Sequence, residues 1–372
     1  MRFISNIMSN KALSSVLAIV LGMSIGFAVL LATSPSNAVP GFVSILRGGL
    51  GNMRDAGQVL FFATPIIMTG LSVGFSMKTG LFNIGASGQF IVGAFAGIFV
   101  GVRFEWLGTP WHWMAGILAA AICGALWGLI PGLLKAYRNV HEVISTIMMN
   151  YIGMFLVNHT IIQTIHDTTR NQTMRVPASG NVPRAGLDEI FRSGHFASSV
   201  NGGIFIALGI AVIAYIIIDK TTLGYELRAC GLNQHAAKYA GINTQKSIIL
   251  SMMISGAFAG VGGALLYLSG AGNGIDVVDI LADEGFQGIV VALLGLANPI
   301  GIIFSGIFVA HLHVGGFNMQ LYGFPSEVID LILAIIIYFS AFALIIRGFI
   351  QNLLLRRKVS KPTARTTEGG AE

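Results

Sequence analysis

The sequence predicts an all-α polytopic membrane protein, and the composition carries that prediction. Of the 372 residues, 54% are hydrophobic and 10% are charged, and the mean hydropathy is +0.76. A soluble domain has about 25% charged residues, so this chain has too few charges to form a water-facing surface. Its 48 glycines and 10 prolines fit helices that pack closely in lipid, and they exclude collagen-like and proline-rich disordered chains.

About ten transmembrane helices are predicted from the apolar stretches. A bilayer core about 30 Å thick requires around 20 residues per helix. Such stretches, with a short eighth one, lie at about 12–33, 57–77, 86–102, 113–134, 143–162, 203–218, 248–269, 286–298, 299–317 and 327–346. The first is longer than a signal-peptide core of about 7–15 residues, so we interpret it as a retained span. Residues 286–317 either cross twice or form a re-entrant hairpin.

The Lys and Arg residues predict that both termini are cytoplasmic. With the N-terminus inside, 15 of them lie on the inner side and 7 on the outer side, as the positive-inside rule requires. Residues 1–346 form the predicted transmembrane domain, with an external loop at 163–201 and a cytoplasmic loop at 219–246. Residues 347–372 form a basic cytoplasmic tail that suits anionic lipid headgroups better than nucleic acid.

Glycines spaced four residues apart predict close contacts between helices. They recur at 93, 97 and 101, at 124, 128 and 132, and at 256 and 260. Small residues at this interval let two helix backbones approach each other in lipid.

Two interrupted stretches predict a translocation pathway. Three glycines interrupt residues 78–89, where Asn83 and Gln89 lie at membrane depth. Non-helical backbone at that depth must line a cavity or be buried in protein. The short eighth stretch, which contains Gln287, is a second interruption, and paired broken segments are typical of transporter sites. The alternative for both is an ordinary loop between helices.

Polar residues on the fifth stretch extend that prediction. Glu142, Thr146 and Asn150 fall on one helical face, and such groups inside a span usually mark a pathway. Glu142 can also be read as a solvated carboxylate at a helix start. A second acidic group, at the predicted external mouth, fits a docking surface or a solvated loop better than a cation site; it comprises Asp276, Asp279, Asp283 and Glu284.

No catalytic residue, metal site or cofactor site is predicted in this chain. His311 and His313 are two residues apart, which is a poor spacing for sharing a metal on a helix, and His141 lacks a second histidine four residues on. The sequence contains no GxxxxGK[ST] phosphate loop. The chain is therefore predicted not to be an enzyme.

The cytoplasmic loop at 219–246, called the coupling segment below, holds the most specific pattern. It predicts two short helices at about 223–230 and 234–240, with Gly231 as a C-cap and Asn233 as an N-cap. The pattern T-x-x-G-x-x-x-R-A-x-G-x-N-x-x-A-A-x-x-x-G-I resembles the coupling loop of ABC-importer permeases of the branched-chain amino acid, ribose and nucleoside group. The matching positions are Gly224, Arg228, Ala229, Gly231, Asn233, Ala236, Ala237, Gly241 and Ile242.

Two further stretches resemble the nucleoside and simple-sugar branch of that family. They are residues 64–89, which include Thr-Gly-Leu-Phe-Asn-Ile-Gly-Ala-Ser-Gly-Gln at 79–89, and residues 141–151, with His141 where Asn is usual. The resemblance covers about 57–346 and implies the helical bundle of a type II-like importer permease.

The resemblance implies the permease subunit of a binding-protein-dependent ABC importer in the bacterial inner membrane, with nucleosides as the substrate and ribose-type sugars as the alternative. The implied partners are an ABC ATPase that holds ATP and Mg²⁺ and docks on the coupling segment, a second permease that is often a different chain, and an extracytoplasmic substrate-binding lipoprotein. The predicted pathway residues are Asn83, Gln89, Glu142, Asn150 and Gln287.

An ion-coupled secondary transporter is the rival interpretation. Such a protein would need a carboxylate or unwound carbonyls at the bilayer midplane. All 16 acidic residues lie outside the predicted spans or near their ends, which counts against this rival.

Overall fold

A computed structural model describes residues 11–325, 327–332, 334–335 and 338–339, and most of them are helical. The tail at 347–372 and half of the tenth predicted span lie outside these residues. The helices are α1 Lys11–Thr33, α2 Pro35–Arg47, α3 Met53–Lys78, α4 Ala86–Arg103, α5 Trp111–Arg138, α6 Glu142–Thr164, α7 Leu187–Ile190, α8 Gly203–Lys220, α9 Thr222–Leu232, α10 Gln234–Tyr239, α11 Thr244–Tyr267, α12 Asp283–Leu294 and α13 Pro299–Met319.

Two short antiparallel strand pairs lie in the predicted external loop. The strand β1 (His166–Asp167) pairs with β2 (Gln172–Thr173), and β3 (Arg192–Ser193) pairs with β4 (Phe196–Ala197). An isolated bridge joins Gln172 to Asp276. This end of the bundle, which carries residues 165–202 and 268–282, is called the loop end, and the opposite end, which carries α9 and α10, is called the coupling end.

Six helices in the described part of the chain are long and apolar enough to cross a membrane, namely α3, α4, α5, α8, α11 and α13. The chain is therefore a multi-pass membrane protein, as predicted, but the count of ten spans is not confirmed. Helix α6 has 23 residues, but Asn150, Asn158 and His159 lower its hydropathy. Helix α12 has only 12 residues, about 18 Å at 1.5 Å per residue, which is too short to cross alone.

The predicted glycine contacts are present and bring α11 close to α4 and α5. A Cβ added to Gly93 would collide with the Cα of Gly260, and one added to Gly124 would collide with the carbonyl of Gly256. A Cβ on Gly128 would meet the carbonyl of Met252 in the same way. Since a larger residue would separate these backbones, the four-residue spacing is explained by packing.

The interruption between α3 and α4 is the non-helical segment 79–85, called the helix break below. Gly80 within it has φ 74°, a conformation that favours glycine. Because α4 begins only at Ala86, the break carries backbone groups without regular helical partners into the interior of the bundle, where protein rather than lipid must satisfy them.

The second interruption is a helical hairpin formed by α12 and α13. Asn298 begins α13, and its Oδ1 accepts a hydrogen bond from the Ile300 amide at 3.0 Å. The Ser305 Oγ donates to the Val291 carbonyl at 2.8 Å, so α13 runs back along α12. The short α12 and the 21-residue α13 thus form a half-length helix paired with a full-length one.

Candidate functional site

The coupling segment folds as the two predicted helices, α9 and α10. Asn233 caps α10, because its Oδ1 accepts hydrogen bonds from the amides of His235 at 3.0 Å and Ala236 at 3.1 Å. The prediction that Gly231 is the C-cap of the first helix is wrong, since α9 continues to Leu232 and Asn233 ends it. Asn233, in extended conformation, serves as both the end of α9 and the start of α10.

One face of α9 packs back against α8. A Cβ on Gly224 would collide with the carbonyls of Ile217 and Ile218, and Leu227 and Cys230 are buried. Arg228 Nη1 lies 3.0 Å from Asp219 Oδ1. Several residues of the recognised pattern therefore hold the coupling segment in place within this chain.

The opposite face of the coupling segment exposes three large side chains. Tyr225 is 65% exposed, Leu232 90% and Tyr239 94%. The sequence pattern did not single out these residues. Helical periodicity could have found them, since they fall off the face formed by positions 224, 227 and 230.

The end of α9 touches the helix break directly. A Cβ on Gly231 would collide with the carbonyl of Lys78 and lie 2.9 Å from the Gly80 amide nitrogen. Gly231 is thus required for close approach between the coupling segment and the point where α3 ends.

Asn83 is the centre of a buried hydrogen-bond network that holds the helix break. Its Nδ2 donates to Gln89 Oε1 and Ser255 Oγ, both at 2.8 Å, and its Oδ1 accepts from the Gly85 amide at 3.0 Å. Thr79 Oγ1 donates to Ser251 Oγ at 2.7 Å. These contacts connect the break to α11 at two positions, Ser251 and Ser255.

Asn150 fastens the other side of the break to α6. Its Oδ1 accepts from the Gly88 amide at 2.8 Å, and its Nδ2 donates to the Ile84 carbonyl at 3.0 Å. Beyond this point, Ser87 Oγ donates to the Ala282 carbonyl at 2.8 Å, and a Cβ on Gly285 would collide with Ser87. A continuous series of contacts therefore runs from the coupling segment through the break to the start of α12.

The structure places the five predicted pathway residues in three different settings. Asn83, Gln89 and Asn150 are at most 1% exposed and make the hydrogen bonds described above. Glu142 Oε2 lies 2.9 Å from Lys135 Nζ, an ion pair that joins the start of α6 to the end of α5. Gln287 lines a cavity between α3, α12 and α13.

The predicted acidic group at the external mouth is divided in two by the fold. Asp276 and Asp279 lie in the loop before α12, where Asp279 Oδ1 accepts a hydrogen bond from Asn158 Nδ2 at 3.1 Å. Asp283 and Glu284 are the first two residues of α12 and line the same cavity as Gln287.

Comparison with known proteins shows the family of the chain. Residues 56–341 match the family described as "Branched-chain amino acid transport system / permease component". The guanosine ABC transporter permease NupP of Bacillus subtilis is 40% identical over 343 residues, which cover 92% of this chain and 96% of that protein. The nucleoside ABC transporter permease NupB of Lactococcus lactis is 35% identical over 367 residues, with 97% and 98% covered.

A third relative is the glucose ABC transporter permease TsgB13 of Haloferax volcanii, which is 30% identical over 318 residues and covers 84% of this chain and 83% of its own length. No solved structure matches the chain. The family match covers more than half of the sequence and agrees with the predicted extent of the resemblance, residues 57–346. The chain belongs to this family of ABC transporter permease components, and it is a transport subunit rather than an enzyme.

Proposed function

We propose that this chain is the permease subunit of an ABC importer for nucleosides, in a bacterial inner membrane and with both termini in the cytoplasm. The observation that carries the proposal is the similarity, over nearly the full chain, to two proteins named as guanosine and nucleoside ABC transporter permeases. The excess of Lys and Arg on the predicted inner side supports the orientation.

The proposed partner at the coupling end is an ABC ATPase, which binds ATP and Mg²⁺. Its contact surface is the exposed face of α9 and α10, where Tyr225, Leu232 and Tyr239 project. Exposed aromatic and aliphatic side chains on a short rigid helix are typical of protein interfaces. A second permease, often a different chain, would complete the membrane part, and an extracytoplasmic binding lipoprotein would dock at the loop end.

We propose that the ATPase drives alternating access through the helix break. Closure of the ATPase would push α9, and the contact of Gly231 with Lys78 and Gly80 would pass that movement to the break. The break contacts the start of α12 through Ser87, so its movement would reshape the pathway. In this proposal Gln287 lines the pathway now, and Asn83, Gln89 and Asn150 line it once the break rearranges. Glu142, through its ion pair with Lys135, stabilises the cytoplasmic end of the pathway.

Import of a simple sugar is the second candidate. It is favoured by the similarity to the glucose permease of Haloferax volcanii. A ribose-type sugar and a nucleoside both present hydroxyl groups that amide side chains can bind, so these side chains do not separate the two candidates.

Uptake by the complete reconstituted complex separates these candidates. Proteoliposomes are prepared with this chain, its ATPase and its second permease, with the binding protein outside and ATP inside. They are then given radiolabelled guanosine, uridine, ribose, glucose or leucine. The proposal predicts ATP-dependent uptake of the nucleosides. Uptake of ribose or glucose alone would favour the second candidate, and uptake driven by an ion gradient without ATP would contradict both.

A further inference from the structure

A cavity of about 300 Å³ lies between α3, α12 and α13, in the half of the bundle nearer the loop end. Phe62 lines it from α3, Asp283, Glu284 and Gln287 line it from the first turn and a half of α12, and His313 lines it from α13. Its volume is at the lower end of the roughly 300–1,000 Å³ that small-molecule sites occupy. The cavity is thus large enough for a compact small molecule and too small for a peptide segment.

Apart from His313, the ionisable side chains described around this cavity are acidic. Three carboxylates line it, those of Asp283, Glu284 and Asp330. Among the described residues of its lining, none is Lys or Arg. An anionic ligand would have to leave water for a site that offers it no cation, and it would meet like charges. This lining therefore selects against phosphate and carboxylate groups.

The same lining offers acceptors and an unpartnered ring nitrogen. His313 Nε2 is buried and has no hydrogen-bond partner among the described residues, although more than about 90% of buried polar groups in proteins are paired. Carboxylate oxygens accept hydrogen bonds from hydroxyl and N–H groups. A neutral ligand rich in such donors would satisfy the groups that the protein leaves open.

Two phenyl rings complete the cavity. Phe62, from α3, and Phe317, from α13, line it, and they are 38% and 74% exposed. An aromatic side chain offers a face on which any of the nucleobases can stack. Rings beside carboxylates give an apolar surface next to hydrogen-bond acceptors, which matches a base attached to a polyhydroxyl sugar.

We propose that this cavity is a substrate chamber that accepts uncharged nucleosides and rejects their phosphate esters. The base stacks on Phe62 or Phe317, and the hydroxyl groups of the sugar donate to Asp283 and Glu284. This inference rests on the proposed function and adds selection by charge within the permease itself. The chamber begins at the first turn of α12, where the series of contacts from the coupling segment ends, so movement of the helix break would open or compress it.

Cysteine labelling tests the chamber in the permease–ATPase complex without the binding protein, so that the selectivity of the binding protein does not intervene. The variant Gln287→Cys is treated with a small hydrophilic thiol reagent in the presence of guanosine, GMP, leucine or sodium chloride. The native Cys123 and Cys230 are free, and their labelling in the parent complex is subtracted. The matched control is Ile190→Cys, in α7 of the external loop, where the wild-type side chain is 58% exposed.

Guanosine is expected to slow labelling of Gln287→Cys at least fivefold, whereas GMP and leucine at the same concentration leave it unchanged. No compound should change labelling of Ile190→Cys. Equal protection by GMP and guanosine, protection by sodium chloride with none by guanosine, or no protection at all would overturn the inference. Guanosine uptake by the parent importer is measured in parallel. Normal uptake without protection refutes the chamber alone, and absent nucleoside uptake refutes the proposed function.

Neutralising the two carboxylates of α12 gives a second, independent readout. In the Asp283→Asn, Glu284→Gln double variant, protection of Gln287→Cys by GMP is expected to appear, because the repulsion of its phosphate is reduced. Glu327→Gln serves as the control, since Glu327 is exposed and does not line the cavity. Continued exclusion of GMP by a double variant that still binds guanosine would overturn the assignment of charge selection to these residues.

Discussion

The helix break and the chamber are both lined with polar side chains inside the bundle, yet they differ in how those side chains are paired. Around the break, Asn83 and Asn150 are hydrogen bonded to several protein groups each. In the chamber, His313 Nε2 has no partner among the described residues, and carboxylates face open volume. A fully paired network makes the surrounding structure rigid, whereas buried polar groups without a partner are costly unless a ligand or water pairs with them. Polarity at membrane depth therefore corresponds to two different settings, a paired network at the break and an open lining in the chamber.

The largest effect is expected at the contact between the coupling segment and the break. Gly231→Ala places a Cβ against the Lys78 carbonyl, so α9 must move away from the break. ATP-dependent uptake in proteoliposomes should fall more than tenfold, while the amount of assembled complex stays the same. Gly209→Ala is the matched control, because an added Cβ there meets no described atom within 4 Å. Parent-level uptake by Gly231→Ala would show that this contact does not carry the coupling.

A smaller effect, on stability, is expected within the break. Asn83→Ala leaves Gln89, Ser255 and the Gly85 amide without their shared partner. Each buried polar group left unpaired costs about 1–3 kcal/mol, so the free energy of unfolding should fall by at least that amount in an SDS titration of the purified protein. Gln163→Ala, which removes an exposed amide at the end of α6, should change it by less than about 0.5 kcal/mol. Equal effects of the two substitutions would refute the central position of Asn83.

The exposed face of the coupling segment should affect assembly rather than stability. Leu232→Ala and Tyr239→Ala remove side chains that are 90% and 94% exposed, so folding should be unchanged. If the ATPase covers them, each substitution should weaken its binding by about 1–2 kcal/mol, measured by titrating the purified ATPase onto the immobilised permease. Leu50→Ala, at an exposed site away from α9 and α10, is the control. Undiminished binding by both variants would place the ATPase elsewhere.

The smallest effect is expected for the ion pair within the coupling segment. Arg228 and Asp219 have side chains that are 41% and 29% exposed, and solvent screening limits such a pair to less than about 1 kcal/mol. A double-mutant cycle of Arg228→Gln and Asp219→Asn, with unfolding followed by SDS titration, measures this value. A coupling energy above about 2 kcal/mol would mean that the pair is a principal support of α9.

Local sequence patterns predicted the short-range features of this molecule well. Asn233 caps α10 because the cap depends only on residues two and three positions along the chain. The break at 79–85 follows from closely spaced glycines, and the glycine contacts follow from four-residue spacing. Gly231 was assigned to the wrong role because its neighbour, Lys78, is about 150 positions away in the sequence.

Features that join distant segments were not predictable in the same way. The chamber combines Phe62, Glu284 and His313, from three helices, and no spacing in the sequence connects them. The pairing of Asn83 with Ser255 has the same origin, since it joins residues 172 positions apart. Sequence polarity predicted that Asn83 lies in a pathway, but it assigned Glu284 to an external docking surface or loop. Only the packing of α3, α11, α12 and α13 separates paired groups from open ones.

Locking the helix break to α11 tests most directly whether transport requires this segment to move. Thr79 Oγ1 and Ser251 Oγ are 2.7 Å apart, so cysteines at both positions lie close enough for a disulfide to be attempted. The assembled Thr79→Cys, Ser251→Cys complex should import nucleoside when reduced, stop when oxidised and recover on reduction, while each single variant is insensitive to oxidation. Undiminished ATP-driven uptake by the oxidised double variant, with the cross-link verified by mass spectrometry, would contradict the account.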